Sequence, residues 1–539
     1  MIRILRPLSR QITRPLTFLV FCAWVPTMAI LVQRASIATA SPSLAADLAR
    51  YGTSAEWRGV YYRNEKIGFT VSQTSATDDG FELQEDGRLQ MSLFGARNVV
   101  SIRTRASVDR TFAIRSFEFS LDPGTGGTIV RGAVNDRRLH LTVSTPSGTH
   151  EEDRDLKEVP VLPLNLARRL ADQGLRPGAR YTWTLFDPAT LGNTRITIDV
   201  GTRELVTVNR RRLPAFRVDA DYSGLRTTSW ITDTGEVVLE KSPMGFQTLR
   251  ETQAEAQMMA VPFNVRNDLL SASAIVPTGR VPIDEPRDVR RLKLRLTGAA
   301  IDWTEIGGVG QVVDGDIVEI RDAQSLQSES IEEVARYLEP EPLIESAAPE
   351  IIAEAQNAVA TVSGARARAE RLTRHVNAIL EKKPTVSIPS AREVLRTRVG
   401  DCNEHTALYV AMARAIGIPA RIAVGLVSVR GAFYYHAWPE VYVSDGTRGH
   451  WLPVDPTLNE FPADATHLRL ARGGLDQQAR ILPLIGRLRI DILDIETAPG
   501  STPVVVGRRP NDVSPLTIAI PARAPGDCWS TPPERRRRR

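Results

Sequence analysis

Three residues in the last third of the chain combine reactive chemistry with suggestive spacing: Cys402, His436 and Asp455. Cys402 stands in Val399-Gly400-Asp401-Cys402-Asn403-Glu404-His405, where a glycine-containing turn leads into a helical pattern. The first N–H groups of a helix have no internal partner, and the dipole there favours negative charge. A cysteine so placed is expected to have a stabilised thiolate and a lowered pKa. The same N–H groups can receive the oxyanion formed when the sulfur attacks an acyl carbon. His436 lies in the strand-like run Tyr434-Tyr435-His436-Ala437-Trp438-Pro439-Glu440-Val441 and could hold the thiol proton. Asp455, in Trp451-Leu452-Pro453-Val454-Asp455-Pro456-Thr457, ends the next apolar run. If those two runs pair as a hairpin, its carboxylate can accept the second histidine N–H and fix the tautomer. Each residue alone has a plainer reading: a small buried hydrophobe, a structural histidine, and a turn aspartate before proline.

The elements around them are legible. Leu372, Val376, Ile379 and Leu380 form a helical stripe that stops before Pro384. Ser390 with Glu393 three residues on opens a second helix, broken at Gly400. The third runs from Cys402 to Ile416 and ends at Gly417 and Pro419, with Leu408, Ala411, Met412 and Ala415 as its buried face. Strand-like runs follow at Arg421–Val429, Phe433–Val443 and Trp451–Val454. Trp438 reads as core. A metal reading would join Cys402, His405 and His436, but zinc sites usually show clearer spacing, so no metal or cofactor is expected.

Together these segments resemble the transglutaminase-like superfamily, a branch of the papain-like thiol enzymes. The resemblance rests on Gly400-Asp401-Cys402, on Arg414-Ala415-Ile416-Gly417-Ile418-Pro419-Ala420-Arg421, on His436-Ala437-Trp438-Pro439-Glu440-Val441 and on Val454-Asp455-Pro456-Thr457. It implies a Cys402–His436–Asp455 triad, a papain-like α+β core and acyl transfer through a thioester, with a protein or peptide as substrate. Papain-like enzymes add a side-chain donor for the oxyanion; Arg396, Arg398 and Asn403 lie nearby, but none matches. The animal enzymes use calcium, and the clustered acidic loop this needs is missing from the sequence. Hydrolysis, deamidation and amine transfer all remain open. So does a non-catalytic envelope binding or assembly protein that keeps the fold.

The remainder of the chain sets the context. A length of 539 residues implies two to four domains. The net charge is +5, but five arginines fall in residues 1–40 and five more form Arg535–Arg539. Of 68 basic residues these ends hold ten, leaving 58 against 63 acidic ones, so no basic face for nucleic acid is expected. Four arginines precede the apolar run Leu16–Val32, and Ala38-Thr39-Ala40 offers a small-x-small cleavage site. This reads as export, periplasmic or otherwise extracytoplasmic, through a cleaved signal or an inner-membrane anchor at residues 16–32. Only Cys22, Cys402 and Cys528 are present, too few for a disulfide framework. The expected organisation is multidomain α+β. It comprises a signal or anchor at 1–40, an antiparallel β-rich domain at 41–260, a small β-rich segment at 261–345, the thiol core at 346–496 and a disordered Pro/Arg-rich tail at 497–539. Within the first β-rich domain one helix is expected near Leu164–Gln173, and Trp303–Val309 reads as a strand of the small segment.

Overall fold

The computed structural model describes residues 55–498, apart from 94, 125, 223, 259–267, 280–282, 309, 324–333 and 445–448. The apolar run at 16–32, Cys22, Cys528 and the arginine-rich tail lie outside the described residues. Among the described residues, no helix is long and apolar enough to cross a membrane.

Short alternating runs separated by turns build a sheet of fourteen antiparallel strands. Eight run in sequence from Glu56–Tyr62 to Gly148–Asp155, and six more from Arg180–Asp187 to Phe246–Glu251. The last of these returns to the first, with Trp57 opposite Glu251 on one side and Val71 on the other. The first hairpin turns at Arg63 and Asn64, both at positive φ (46° and 69°), as a two-residue turn between twisted strands requires. Alternation buries one face: in Ile114–Asp122 the buried residues are Ile114, Phe117, Phe119 and Leu121. The helix expected here is Pro163–Asp172, and its Leu170 packs on Ile196, Ile198, Val218 and Ile231. Between helix and sheet lies a cavity of about 260 Å³.

A second sheet of five strands combines Val289–Thr297, Ile317–Arg321 and Gln311–Asp314 with the late strand Arg489–Thr497 and a short piece at Thr278–Gly279. Its central strand buries Leu292, Leu294 and Leu296 on one face. The run beginning at Trp303 corrects that reading: Trp303–Ile306 is a helical turn. Asp302 accepts a hydrogen bond from the Thr304 N–H at 3.3 Å, an N-cap that competes with extension.

The thiol region has a central helix, Cys402–Ala415, flanked by Pro349–Val359, Ala365–Ile379 and Ala391–Thr397. A four-stranded antiparallel sheet packs on it, in the order Gly449–Pro453, Ala432–Ser444, Ala420–Val429, Leu468–Arg472. The helix is buried on every side from Glu404 to Arg414, not along the single face expected, because helices cover one side and the sheet the other.

The large sheet and this region pack together within one compact unit that begins at Glu56. Leu343 and Ile388, from segments beside the central helix, join the apolar cluster of Phe117, Leu121, Val143 and Phe186. Ser147 Oγ donates to Glu393 Oε2 at 2.6 Å across the same boundary.

Candidate active site

Cys402 opens its helix directly after Asp401, whose backbone is extended and whose carboxylate caps the helix. Asp401 Oδ1 accepts from the Asn403 N–H at 3.0 Å, and Glu404 Oε2 accepts from the Asp401 N–H at 2.8 Å. Together they make a reciprocal capping box that also takes the Glu404 N–H. Gly400 permits this closeness: a Cβ there would lie 2.2 Å from the Glu404 Cβ. The box engages the N–H groups of Asp401, Asn403 and Glu404 around the start of the helix. Thr385 and Ser387 hydroxyls donate to Glu404 Oε1, holding the box in place.

The thiol sits against Val424, Ala437 and Ala471, and accepts a hydrogen bond from the Ala437 N–H, the residue next to His436. Thr406 Oγ1 donates to the Ala437 carbonyl at 3.1 Å and locks helix to strand. Here the structure corrects the sequence expectation of a depressed thiol pKa. Burial pushes the Cys402 thiol well above its ordinary value, and the negative charges of Asp401, Glu404 and Asp455 add to the shift. The capping carboxylates offset the helix dipole that would otherwise favour the thiolate.

His436 lies on Ala432–Ser444 opposite Gly425, where a Cβ would come 2.0 Å from the Leu468 carbonyl oxygen. Its strand pairs with Gly449–Pro453 as Glu440 with Pro453, which brings Asp455 back alongside. His436 Nε2 is 2.7 Å from Asp455 Oδ2, which leaves Nδ1 outside that contact. Asp455 is fully buried. Its Oδ1 accepts from the N–H groups of Thr457 at 2.7 Å and Leu458 at 2.9 Å. Burial alone would raise its pKa, yet the histidines beside it hold it far below the carboxylate range.

Sequence reasoning missed His467, whose Nε2 lies 3.2 Å from the same Asp455 Oδ2. The only sequence signal was a histidine twelve residues beyond the aspartate, on a segment with no recognised element. Trp438 is 1% exposed and is core, as expected; its ring lies over His436 (centroids 6.1 Å) and meets His467 edge-on (5.1 Å). His436, Asp455 and His467 present donor atoms within 4.8 Å of one another. However, the 2.7 Å His436–Asp455 separation is a hydrogen bond, shorter than the roughly 3.3 Å between ligand atoms of a tetrahedral zinc site. Of the other residues weighed, His405 turns its Nδ1 to the Asp401 carbonyl at 2.7 Å. Arg396 is held by Glu393, and Arg398 ends its helix in a left-handed conformation. Asn403 lines a gap of about 40 Å³, shared with Glu341–Ile344, Thr406, Ala437 and Leu475.

One buried ion cluster supports the histidine strand. Glu440, 3% exposed, faces Arg421 at 2.7 Å, Arg469 at 3.0 Å and Arg472 at 3.2 Å, which hold its carboxyl well below the usual range despite burial. Burial brings Arg469 down to about 10.

Residues 346–456 match the transglutaminase-like superfamily, and this stretch contains Cys402, His436 and Asp455. A comparison with curated proteins finds no match. Among solved structures, a β-barrel-like protein of a domain of unknown function from Brucella abortus is 13% identical, with 37% of this chain and 97% of that one covered and a TM-score of 0.30. A proposed cysteine protease from Cytophaga hutchinsonii is 15% identical over 40% of this chain and 89% of its own, with a TM-score of 0.24. A proposed protease from Parabacteroides distasonis is 13% identical, covering 71% and 69%, with a TM-score of 0.20. At these scores the likenesses carry no further argument.

Proposed function

We propose that the transglutaminase-like domain at residues 346–456 is a thiol acyl-transfer site acting on amide bonds of proteins or peptides. The observation that carries this reading is the buried 2.7 Å bond between His436 Nε2 and Asp455, with the Cys402 thiol resting on the amide of the residue beside that histidine. Cys402 Sγ attacks the amide carbonyl as its proton passes to His436 Nδ1. The oxyanion forms against the Cys402 N–H. The C–N bond then breaks, His436 returns the proton to the leaving nitrogen, and a thioester remains. Water gives hydrolysis or deamidation; an amine gives transfer. Asp455 keeps the histidine in one tautomer and stabilises its charged form. Because burial favours the neutral thiol, proton removal accompanies attack and does not precede it. We place the protein outside the cytoplasm, on the apolar run and cleavage site at its start.

A non-catalytic binding protein is the second reading, favoured by the raised thiol. The test incubates the full chain with a peptidyl-glutamine donor, with and without a fluorescent primary amine, and follows ammonia release, peptide cleavage and amine incorporation. The acyl-transfer reading expects turnover and an acid-trapped thioester mass on Cys402, both lost in Cys402→Ala and His436→Ala. No turnover, with iodoacetamide labelling of Cys402 equally fast in the parent and His436→Ala, would leave the binding reading in its place.

A further inference from the structure

His467 is used by nothing described so far, yet it is buried and fully engaged. Its side chain is 2% exposed. Nε2 lies 3.2 Å from Asp455 Oδ2, and Nδ1 lies 3.2 Å from the Asp464 carbonyl and 3.3 Å from Asp464 Oδ1. Both ring nitrogens face acceptors. A neutral imidazole has one N–H and can satisfy only one of them, whereas the imidazolium satisfies both. The two carboxylates hold His467 well above its ordinary pKa against the opposing effect of burial.

We infer that His467 is a positioning residue for the reaction, pinning Asp455 Oδ2 in the place from which it orients His436. The inference rests on the triad reading above. The Thr457 and Leu458 N–H groups fix Oδ1, and the two histidines share Oδ2, so neither carboxylate oxygen can rotate away. His467 also supplies Asp455 with a counter-charge additional to His436, so that the carboxylate does not act at full strength on the thiol. Among the described residues, the other charged or titratable groups facing this cluster include Glu460, which is held by Arg287 at 3.2 Å, and Lys382 and His405, which both face Asp455. His436 and the uncharged Trp438 ring complete the surround.

The test uses the full chain with Cys22→Ser and Cys528→Ser, so that Cys402 is the single thiol, and follows iodoacetamide labelling from pH 5 to 10. His467→Phe keeps a ring but no donor; His467→Gln keeps a donor but no charge. The phenylalanine variant is expected to label about 10–100-fold more slowly, the usual cost of losing a residue that orients a site. The glutamine variant is expected to recover most of that rate while its labelling midpoint moves up by about one pH unit, because the cation offsetting Asp455 is gone. A merely structural histidine would lower thermal stability in both variants and leave the rate and midpoint of the folded protein at the parent's values; that result overturns the inference. Should the phenylalanine variant fail to fold, Asp464→Asn leaves His467 in place without its second carboxylate. It is expected to move the midpoint in the same direction, and no movement again overturns the inference. Parent labelling that depends on His436 but ignores His467 sinks this inference alone. Parent labelling that ignores His436 sinks the triad reading and this one with it.

Discussion

Asp455→Asn tests both the packing and the chemistry of the site. The parent carboxylate receives two backbone N–H groups on Oδ1 and two imidazole N–H groups on Oδ2, in a fully buried position. An asparagine oxygen can keep the backbone pair, but its NH₂ then faces the two ring donors, and the His467 charge loses one of its partners. Breaking a buried ion pair costs about 3–5 kcal/mol, and the retained backbone bonds put this case near about 3 kcal/mol. That leaves a protein with typical stability folded, so the variant can be assayed. The pH dependence follows from the two shifts. Asp455 is depressed in the fold, so its contribution is present above its unfolded value of about 3.9 and lost as pH falls through the folded one. His467 is raised, so its contribution is full below about 6.5 and fades as pH rises through the folded value. The stability deficit of the variant is therefore widest between about pH 4 and 6.5, read by urea unfolding at pH 3, 5.5 and 9. Turnover should fall by about 10⁴-fold, as when a triad carboxylate becomes an amide and the histidine takes the wrong tautomer. A variant with the parent's turnover and a pH-independent stability gap would refute the reasoning.

Three further outcomes are expected. The resting thiol should label with a midpoint above the ordinary value of about 8.5, since burial and three carboxylates raise it; a midpoint below 7 in the single-thiol protein would contradict the described environment. Glu440→Gln removes the charge facing Arg421, Arg469 and Arg472 and should cost about 3–5 kcal/mol in chemical unfolding. Because Glu440 is depressed in the fold, that cost is present above about pH 4.3 and disappears as pH falls through the folded value, so equal losses at pH 3 and pH 7 would count against it. Leu343→Ala empties a place in the apolar cluster beneath the large sheet and should cost about 2–5 kcal/mol in chemical unfolding. An unchanged unfolding midpoint would show that Leu343 does not support that cluster.

Local chemistry was readable and long-range closure was not. The helix starting at Cys402 and the hairpin carrying His436 and Asp455 were marked by glycines, prolines and alternation within a few residues of each. The sign of the thiol shift was misread although its local cause was present: Asp401-Cys402-Asn403-Glu404 has capping-box spacing, and a box that takes the first-turn N–H groups also brings two carboxylates to the sulfur. The largest cause of the shift is burial, to which strands contribute from beyond residue 420. Similarly, the fourteen-strand order depends on Phe246–Glu251 returning to Glu56–Tyr62, a pairing that no short pattern encodes. His467 arrives from a connection after Asp464, and only the folded chain puts it on Asp455.

Leu343 has a consequence for how the two sheets communicate. It holds a left-handed backbone conformation (φ 72°), its carbonyl accepts from the Ala391 N–H at 2.9 Å, and neighbouring Glu341 pairs with Arg414 at 2.8 Å. Leu343 is shared between the gap lined by Asn403, Thr406 and Ala437 and the apolar interior under the large sheet. The packing beneath that sheet and the packing beside Asn403, the residue that follows Cys402, therefore meet in one leucine: a perturbation of either place that displaces Leu343 is felt at the other.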